Sequence, residues 1–439
     1  MDSARDGHLT LRIARSVPEI EGTREIWTEW QSNPSSDIDN YLSMVRSRPE
    51  IECPHVMLVY RDGCLDSVLV GRLERTRISC AIGYFKLFQP EVRTLCISPG
   101  GFLGNQSAEN SEFITREIVK CLSRGEACVA RFDYLGIDSS LFEAVKSVPG
   151  ILCRDHFAST QPHGCLRLPG SFEEFTRSLS RKERHNLKRY AGRVKTDFPG
   201  KMRIQSFREV EQVEALIRDT EEVAKKTYQR GLGVGFQDDL ETRQLLRTAA
   251  QKGTLRGCIM YLGDIPTAFM IGIQYRQALH GISMGYDPHY NDYSLGSLVL
   301  MHWIQEAFET SGSQAVSEID LGAGDGRHKR AIYNHTWHES VAYIFAPTPK
   351  GMLLNFLKTA TYLINQALRK LLLKTGFLEK IKKVWRSSAP GAGRTGSSRA
   401  IPGAQLTDSA ESADGHSPLA HLAKGARLEE ERVESLQRG

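Results

Sequence analysis

The residues best equipped for chemistry crowd into one stretch, Gly281 to Arg330, which reads GISMGYDPHYNDYSLGSLVLMHWIQEAFETSGSQAVSEIDLGAGDGRHKR. Tyr286, Asp287 and His289 sit on either side of Pro288. Tyr293, Ser294, Leu295, Gly296 and Ser297 follow, and Asp320 and Lys329 stand near its end. A strand that passes through a Gly-bearing loop into a helix N-terminus presents free N–H groups and the positive end of the helix dipole. Such a junction takes an anion, and the hydroxyls of Ser294 and Ser297 add donors. The titratable side chains around it supply acids and bases.

The elements that position these residues follow from periodicity. Leu255–Leu262, Ile265–Tyr275 and Leu279–Tyr286 alternate as strands. Tight turns at Gly263-Asp264 and Arg276-Gln277 join them, which predicts an antiparallel meander. Asp287–Tyr293 is loop, Ser294 is the expected N-cap, and Leu295–Thr310 is a helix apolar almost all round, hence deeply packed. Ala315–Leu321 and Ser340–Phe345 are strands flanking a turn at Gly322–Gly326. Upstream, Ser171-x-x-Glu174 is a capping box opening one helix through SFEEFTRSLSRKERHNLKRYAGRVK. Its Arg and Lys residues are either a solvated face or a rim of cations for a phosphate-bearing donor or polyanionic acceptor. Met202–Phe207 reads as a strand, and Val210–Arg230 and Thr242–Ala250 as helices.

The first part of the chain is also α/β. Strands are expected at Leu9–Ala14, Val56–Tyr60, Ser67–Leu73, Thr94–Ile97 and Ala127–Tyr134, with Asp62-Gly63 turning a hairpin. Helices are expected at Pro18–Trp30, Glu112–Ser123 and Ser140–Val148. A change of punctuation at QPHGCLRLPG places a domain boundary there. The expected organisation is an N-terminal half over 1–168, a second domain over 169–346, a basic helical extension over 347–386 and a disordered Gly/Ser/Pro-rich tail over 387–439.

With 439 residues and a net charge of +5, the chain exceeds one ordinary core. The charge is modest and local, so a nucleic-acid partner is not expected. Nine cysteines, scattered and odd in number, argue against a disulfide framework and a zinc site and fit a reducing cytosol, so no metal is expected. No secretory signal and no run apolar and long enough to span a membrane is visible. Within 350–386, one helical face is apolar (Leu353, Phe356, Leu357, Leu363, Ile364, Leu368) and the other carries Asn355, Lys358, Arg369 and Lys370. That face suits either a membrane interface with anionic lipid or packing on protein. The expected location is cytoplasmic, with peripheral contact at the inner membrane face.

Asp320-Leu321-Gly322-Ala323-Gly324-Asp325-Gly326 resembles the first loop of methyltransferases that use S-adenosylmethionine. That loop opens a doubly wound parallel sheet, whereas an antiparallel meander precedes this one and a single strand follows. The order helix, helix, three-strand meander, loop, helix, strand, turn, strand instead resembles a GNAT-type acyltransferase. The closer resemblance is to the CelD/BcsL-type (BioF-like) acetyltransferase domain, related to FemAB-type transferases. It rests on SRKERHNLKR, Tyr228–Gly231, GYDPHYNDYSLGSLVLMHWIQEA and EIDLGAGDGRHKR, where Gly324-Asp325 precedes His328-Lys329 and histidine replaces the family's aromatic.

The resemblance implies two GNAT-like halves with mixed, largely antiparallel sheets. It implies an acyl group, acetyl from acetyl-CoA or another acyl-CoA, moved to an amine or hydroxyl of a carbohydrate or cell-envelope intermediate. The donor's pyrophosphate would sit on Tyr293–Ser297. Backbone N–H groups near Met284–Tyr286 would polarise the thioester carbonyl. Tyr286 or Tyr293 would protonate the thiolate, Asp287, His289 or Asp320 would serve as base, and Lys329 would hold an acceptor anion. Each of these side chains has an alternative as a packing, turn or surface residue. Two other functions stand beside this one. One is FemAB-like peptidyl transfer from aminoacyl-tRNA, and the other is a non-catalytic scaffold for polysaccharide synthesis.

Overall fold

The structure is a computed structural model and describes residues 8–82, 85–227, 230, 235–312, 315–324 and 326–375. The expected tail and the end of the basic extension lie outside these residues. The described residues form two compact units, one of residues 8–161 and 338–375 and the other of residues 162–337. The fold is mixed α/β with largely antiparallel sheet, as the sequence predicts.

In the first unit, β1 (Leu9–Ala14) leads to α1 (Val17–Glu21), α2 (Arg24–Trp30) and α3 (Ile38–Ser47). Next come β2 (Ile51–Pro54), β3 (Val56–Arg61), β4 (Cys64–Arg77), β5 (Cys80–Ile82), β6 (Phe85–Phe88), β7 (Glu91–Gly104), α4 (Ala108–Ser123), β8 (Val129–Gly136) and α5 (Ser140–Ser147). The sheet order is β1-β3-β4-β7-β8, with β2 on β4, and only β7–β8 is parallel. The predicted helix over 18–30 is two, because the chain turns at Gly22-Thr23. The predicted short strand at 94–97 extends to Gly104, with Ser98–Gly101 looped out of the ladder to β4. Ile114, Ile118 and Leu122 of α4 close the core over Leu69, Leu95 and Phe132.

The second unit contains most of β9 (Ser159–Arg167), then α6 (Phe172–Ser178), α7 (Arg181–Asp197), β10 (Met202–Phe207), α8 (Val213–Ala224), α9 (Leu240–Gln251), β11 (Leu255–Leu262), β12 (Ile265–Tyr275), β13 (Ala278–Tyr286), α10 (Leu295–Phe308), β14 (Glu318–Ala323) and α11 (Arg327–Arg330). Its order is β9-β14-β13-β12-β11-β10, with the predicted meander intact. One face packs on α10 through Met270, Leu279, Ile319 and Leu321, and the other on α8 and α9 through Ile259, Phe269 and Ile271. The single helix expected over 171–195 breaks at Leu179, which is extended (ψ 149), and Ser180 caps α7 by accepting from the Glu183 N–H at 3.1 Å. Periodicity hides the break because Phe175, Leu179 and Val194 all reach the same core.

The last strand, β15 (His335–Phe345), corrects the expected boundaries. It pairs antiparallel with β8 from Glu339 to Phe345, so His338 onward belongs to the first unit, and the earlier division falls at Gln161/Pro162 rather than after 168. The final described helix, α12 (Pro349–Thr375), continues the first unit.

Trp303 of α10 is fully buried and its indole N–H donates to the Arg256 carbonyl at 2.9 Å. It lies against Gly272, where a Cβ would come within 2.3 Å of its ring and 2.7 Å of the His280 carbonyl. Gly272→Ala is therefore expected to destabilise the chain by about 1–3 kcal/mol through overpacking, measured by urea denaturation, whereas Gly192→Ala, exposed on α7 with nothing near its Cβ position, is not.

Candidate active site

The parallel ladder between β13 and β14 covers only Ala278–His280 against Glu318–Asp320. Past His280 the two strands have no further rung among the described residues. Gly281–Met284 are half-buried, whereas β11 is buried along its whole length. Strands that part in this way leave N–H and C=O groups of β13 free for an extended ligand.

The last rung joins His280 to Asp320. Strand alternation turns both away from the α10 face, to which Leu279, Ile319 and Leu321 point. There the Asp320 carboxylate is matched on every side. His163 Nε2 lies 2.7 Å from Oδ1 and His280 Nδ1 lies 3.1 Å from Oδ2. The Gly322 N–H donates to Oδ1 at 2.6 Å. Burial by itself would raise the pKa of Asp320. The hydrogen bonds of the two histidines, joined by their positive charge whenever they are protonated, outweigh it and hold the carboxyl well below the usual range. An ionised carboxylate accepts, so each histidine directs an N–H at it, which assigns the tautomers from the hydrogen bonds. His163 is fixed further by stacking on Trp337, with centroids 4.3 Å apart. His280 Nε2 is buried and has no hydrogen-bond partner. A carboxylate-oriented imidazole with its second nitrogen unpartnered is the arrangement of a general base.

Lys329 is tied to the same turn. Its Nζ donates to the Gly322 and Ala323 carbonyls at 3.2 and 2.9 Å. Burial lowers its pKa to about 8, against the attraction of Asp320.

A second group of predicted residues gathers at the turn from β13 into α10. Asp287 caps a 3-10 turn over Pro288–Tyr293 by accepting from the His289 N–H at 2.9 Å, and its other oxygen accepts from Lys226 Nζ at 3.0 Å. Asp287 is thus buried in an ion pair, and the exposed His289 stands edge-on to Tyr290. The Tyr286 hydroxyl donates to Asn291 Oδ1 at 3.2 Å and its ring lies against Gly296. The Tyr293 hydroxyl donates to Asp197 at 2.9 Å, which raises its pKa.

Ser294 precedes α10 with left-handed backbone (φ 48) and makes no side-chain cap, contrary to its expected N-cap role. Its hydroxyl instead hydrogen-bonds Tyr190 of α7, which lowers the Tyr190 pKa. Leu295 is fully buried, so only its backbone is available to a ligand. Ser297 N–H donates back to the Ser294 carbonyl at 2.9 Å. The basic helix α7 therefore lies on this terminus. Arg193 donates to the Asp292 carbonyl at 3.1 Å and stands over the Tyr293 ring, and Arg189 stands over Tyr190.

The structure thus gathers the predicted residues into two groups, Asp320 with Lys329 and Tyr286 through Ser297. Sequence reasoning missed His280 and His163. The alternation of LHGIS marks a strand and places His280 on the face opposite Leu279, but only the sheet topology sets that strand beside Asp320. Tyr228 and Gly231, with Asp325 and the side chain of His328, lie outside what is described.

Residues 181–330 match the acetyltransferase (GNAT) domain. The matched stretch runs from the start of the basic helix α7 to the end of α11 and supports a transferase of GNAT type. No curated protein matches the chain. Among solved structures, FemX is similar at 10% identity, with 72% of this chain and 98% of that one covered and a TM-score of 0.47. L-PGS from Bacillus licheniformis shows 10% identity, coverages of 80% and 97%, and a TM-score of 0.43. A GCN5-related N-acetyltransferase from Sphaerobacter thermophilus shows 11% identity, coverages of 77% and 95%, and a TM-score of 0.37.

The lowered pKa of Lys329 sets a pH dependence. Between about 8 and its ordinary 10.5, the unfolded chain holds this proton and the folded chain does not, so stability rises with pH across that window. Below the window the full penalty of burying the ammonium is present. Denaturant midpoints measured from pH 8 to about pH 10 are expected to rise more steeply in wild type than in Lys329→Met. Parallel profiles would show that Lys329 stays charged throughout.

Proposed function

We propose that the chain transfers an acetyl or other acyl group from a CoA thioester to an amine or hydroxyl of a carbohydrate or cell-envelope intermediate. The observation that carries this reading is the unpartnered Nε2 of His280, oriented by Asp320 at the point where β13 and β14 part. The opened edge of β13 takes the extended arm of the donor and directs its N–H groups at the thioester carbonyl. The donor pyrophosphate binds at Ser294–Ser297 on the α10 N-terminus, with Arg189 and Arg193 beside it. The acceptor attacks the carbonyl carbon as His280 Nε2 removes its proton. The C–S bond then breaks, and the thiolate leaves with a proton supplied by Tyr286 or solvent. Asp320 and His163 position His280.

The exposed side of α12 supports work at a membrane face. Asn355 donates to the Leu152 and Arg154 carbonyls, and Lys358 pairs with Asp155 at 3.0 Å, so these polar residues face the first unit. Leu353, Phe356 and Leu363 are exposed instead, Phe356 by 66%. A helix that packs inward through Leu354 and still exposes a second apolar side, with Lys350 at its start, fits insertion among anionic headgroups.

His280→Ala is expected to lower kcat by about 10²–10⁴ while acetyl-CoA binding by calorimetry stays unchanged. Arg189→Ala with Arg193→Ala should instead weaken acetyl-CoA binding and leave kcat at saturation near wild type. Wild-type turnover in His280→Ala removes the base from the mechanism. Activity that needs aminoacyl-tRNA and is lost on ribonuclease treatment replaces the donor. For the membrane, the full chain should sediment with phosphatidylglycerol vesicles and not with phosphatidylcholine vesicles. Phe356→Asp combined with Leu363→Asp should abolish that, and equal sedimentation of this variant would place the contact elsewhere.

A further inference from the structure

The first unit contains a second cluster that the transferase reading does not use. His55 lies between β2 and β3 and is fully buried, and neither ring nitrogen has a hydrogen-bond partner. Leaving both nitrogens of a buried imidazole unmatched costs desolvation energy that native folds avoid. Its Nδ1 lies 4.0 Å from Glu126 Oε2. Cys121, buried in the last turn of α4, completes the group, and one donor atom from each of the three residues lies within 4.8 Å of the others. The Glu126 N–H donates to the Cys121 carbonyl at 3.2 Å, which fixes the two side chains on one local frame. The His55 N–H donates to the Gly71 carbonyl at 2.9 Å, anchoring the third from the sheet.

We propose that His55, Cys121 and Glu126 form a zinc site in the first unit. Thiolate, imidazole and carboxylate together form a donor set that suits Zn²⁺ over a hard oxygen-seeking cation. Zinc with ligands at about 2.0–2.3 Å asks for donor separations of roughly 3.3–3.7 Å, so the present cluster needs to close by little more than about an ångström. As the S–Zn bond forms the Cys121 proton leaves to solvent, and the resulting thiolate and the Glu126 carboxylate offset the ion's charge. Arg15, hydrogen-bonded to Glu126 Oε2, serves as the outer partner that orients a ligating carboxylate. Three protein ligands leave a fourth position for water, and the partly exposed Glu126 marks the way in. The cysteine spacing gives no sign of this site, because its ligands come from a strand junction, a helix end and the loop after that helix.

The test uses the full chain, stripped with a chelator and titrated with Co²⁺ and with Zn²⁺ alone. One equivalent of Co²⁺ should produce a thiolate-to-cobalt charge-transfer band, and Zn²⁺ should compete it away and raise the melting temperature. Cys121→Ser should lose the band, and His55→Gln should bind Zn²⁺ at least tenfold more weakly, each variant being checked for native circular dichroism. Elemental analysis of the unstripped protein should find zinc. Absence of both the band and the melting shift in wild type overturns the site and leaves a buried water as the partner of His55. An undiminished band in Cys121→Ser overturns it equally, by assigning the metal to other cysteines.

Discussion

A carboxylate taken out of water must either give up its charge or be met by donors, and Asp320 is met by donors from three strands. His163 comes from β9, His280 from β13 and the Gly322 N–H from the end of β14 itself. The interaction sits where the β13–β14 ladder ends. A pair of parallel strands that separates loses hydrogen bonds on both, and something must hold the last rung closed while the rest opens. The Asp320–His280 bond does that across the rung, and the His163 bond ties the other edge of β14. Removing one partner of such a group leaves the other buried and unmatched, so the cluster holds both the register of three strands and the orientation of the imidazole.

The second constraint is the reversal between β13 and α10. The backbone must leave the sheet at Tyr286 and start a buried helix within eight residues. Asp287 caps a 3-10 turn, Ser294 accepts a left-handed φ, and α10 begins. Because α10 is anchored by Trp303 and Leu295, its N-terminus has a fixed place. The basic helix α7 adds Arg189 and Arg193 to that terminus through contacts that also hold Tyr190 and Tyr293. The cations of α7 are therefore divided between a solvated face and the rim of the helix terminus.

Much of this was legible in sequence, and for local reasons. The meander showed because Gly263-Asp264 and Arg276-Gln277 punctuate strands of clear alternation, and α10 showed because its residues are apolar on nearly every side. The break at Leu179 did not, since the residue that leaves the helix still points into the core. The last strand was placed correctly in sequence but assigned to the second domain, because its partner β8 lies far up the chain. Asp320 stood out as a carboxylate beside glycines. Its partners are 157 and 40 residues away in sequence, and no periodicity links positions that meet only through sheet topology. The same holds for His55 with Cys121.

The glycine-rich turn after Asp320 shows how one feature can carry two readings. Its glycines invite a cofactor, yet the turn is occupied by its own chain. The Gly322 N–H is given to Asp320, and the Gly322 and Ala323 carbonyls receive Lys329. An ammonium that already holds two carbonyls and is partly neutral near pH 8 is a weak anchor for an acceptor anion and a better latch for the turn. On the proposed reading, anion recognition falls instead to the α10 N-terminus and to Arg189 and Arg193 of α7, which stand over the rings of Tyr190 and Tyr293. The turn contributes by keeping Asp320, and through it His280, in place. By the same proposal, the two ends of the 281–330 stretch serve different parts of one reaction, the α10 terminus the donor's phosphates and Asp320, through the adjoining His280, the acceptor's proton.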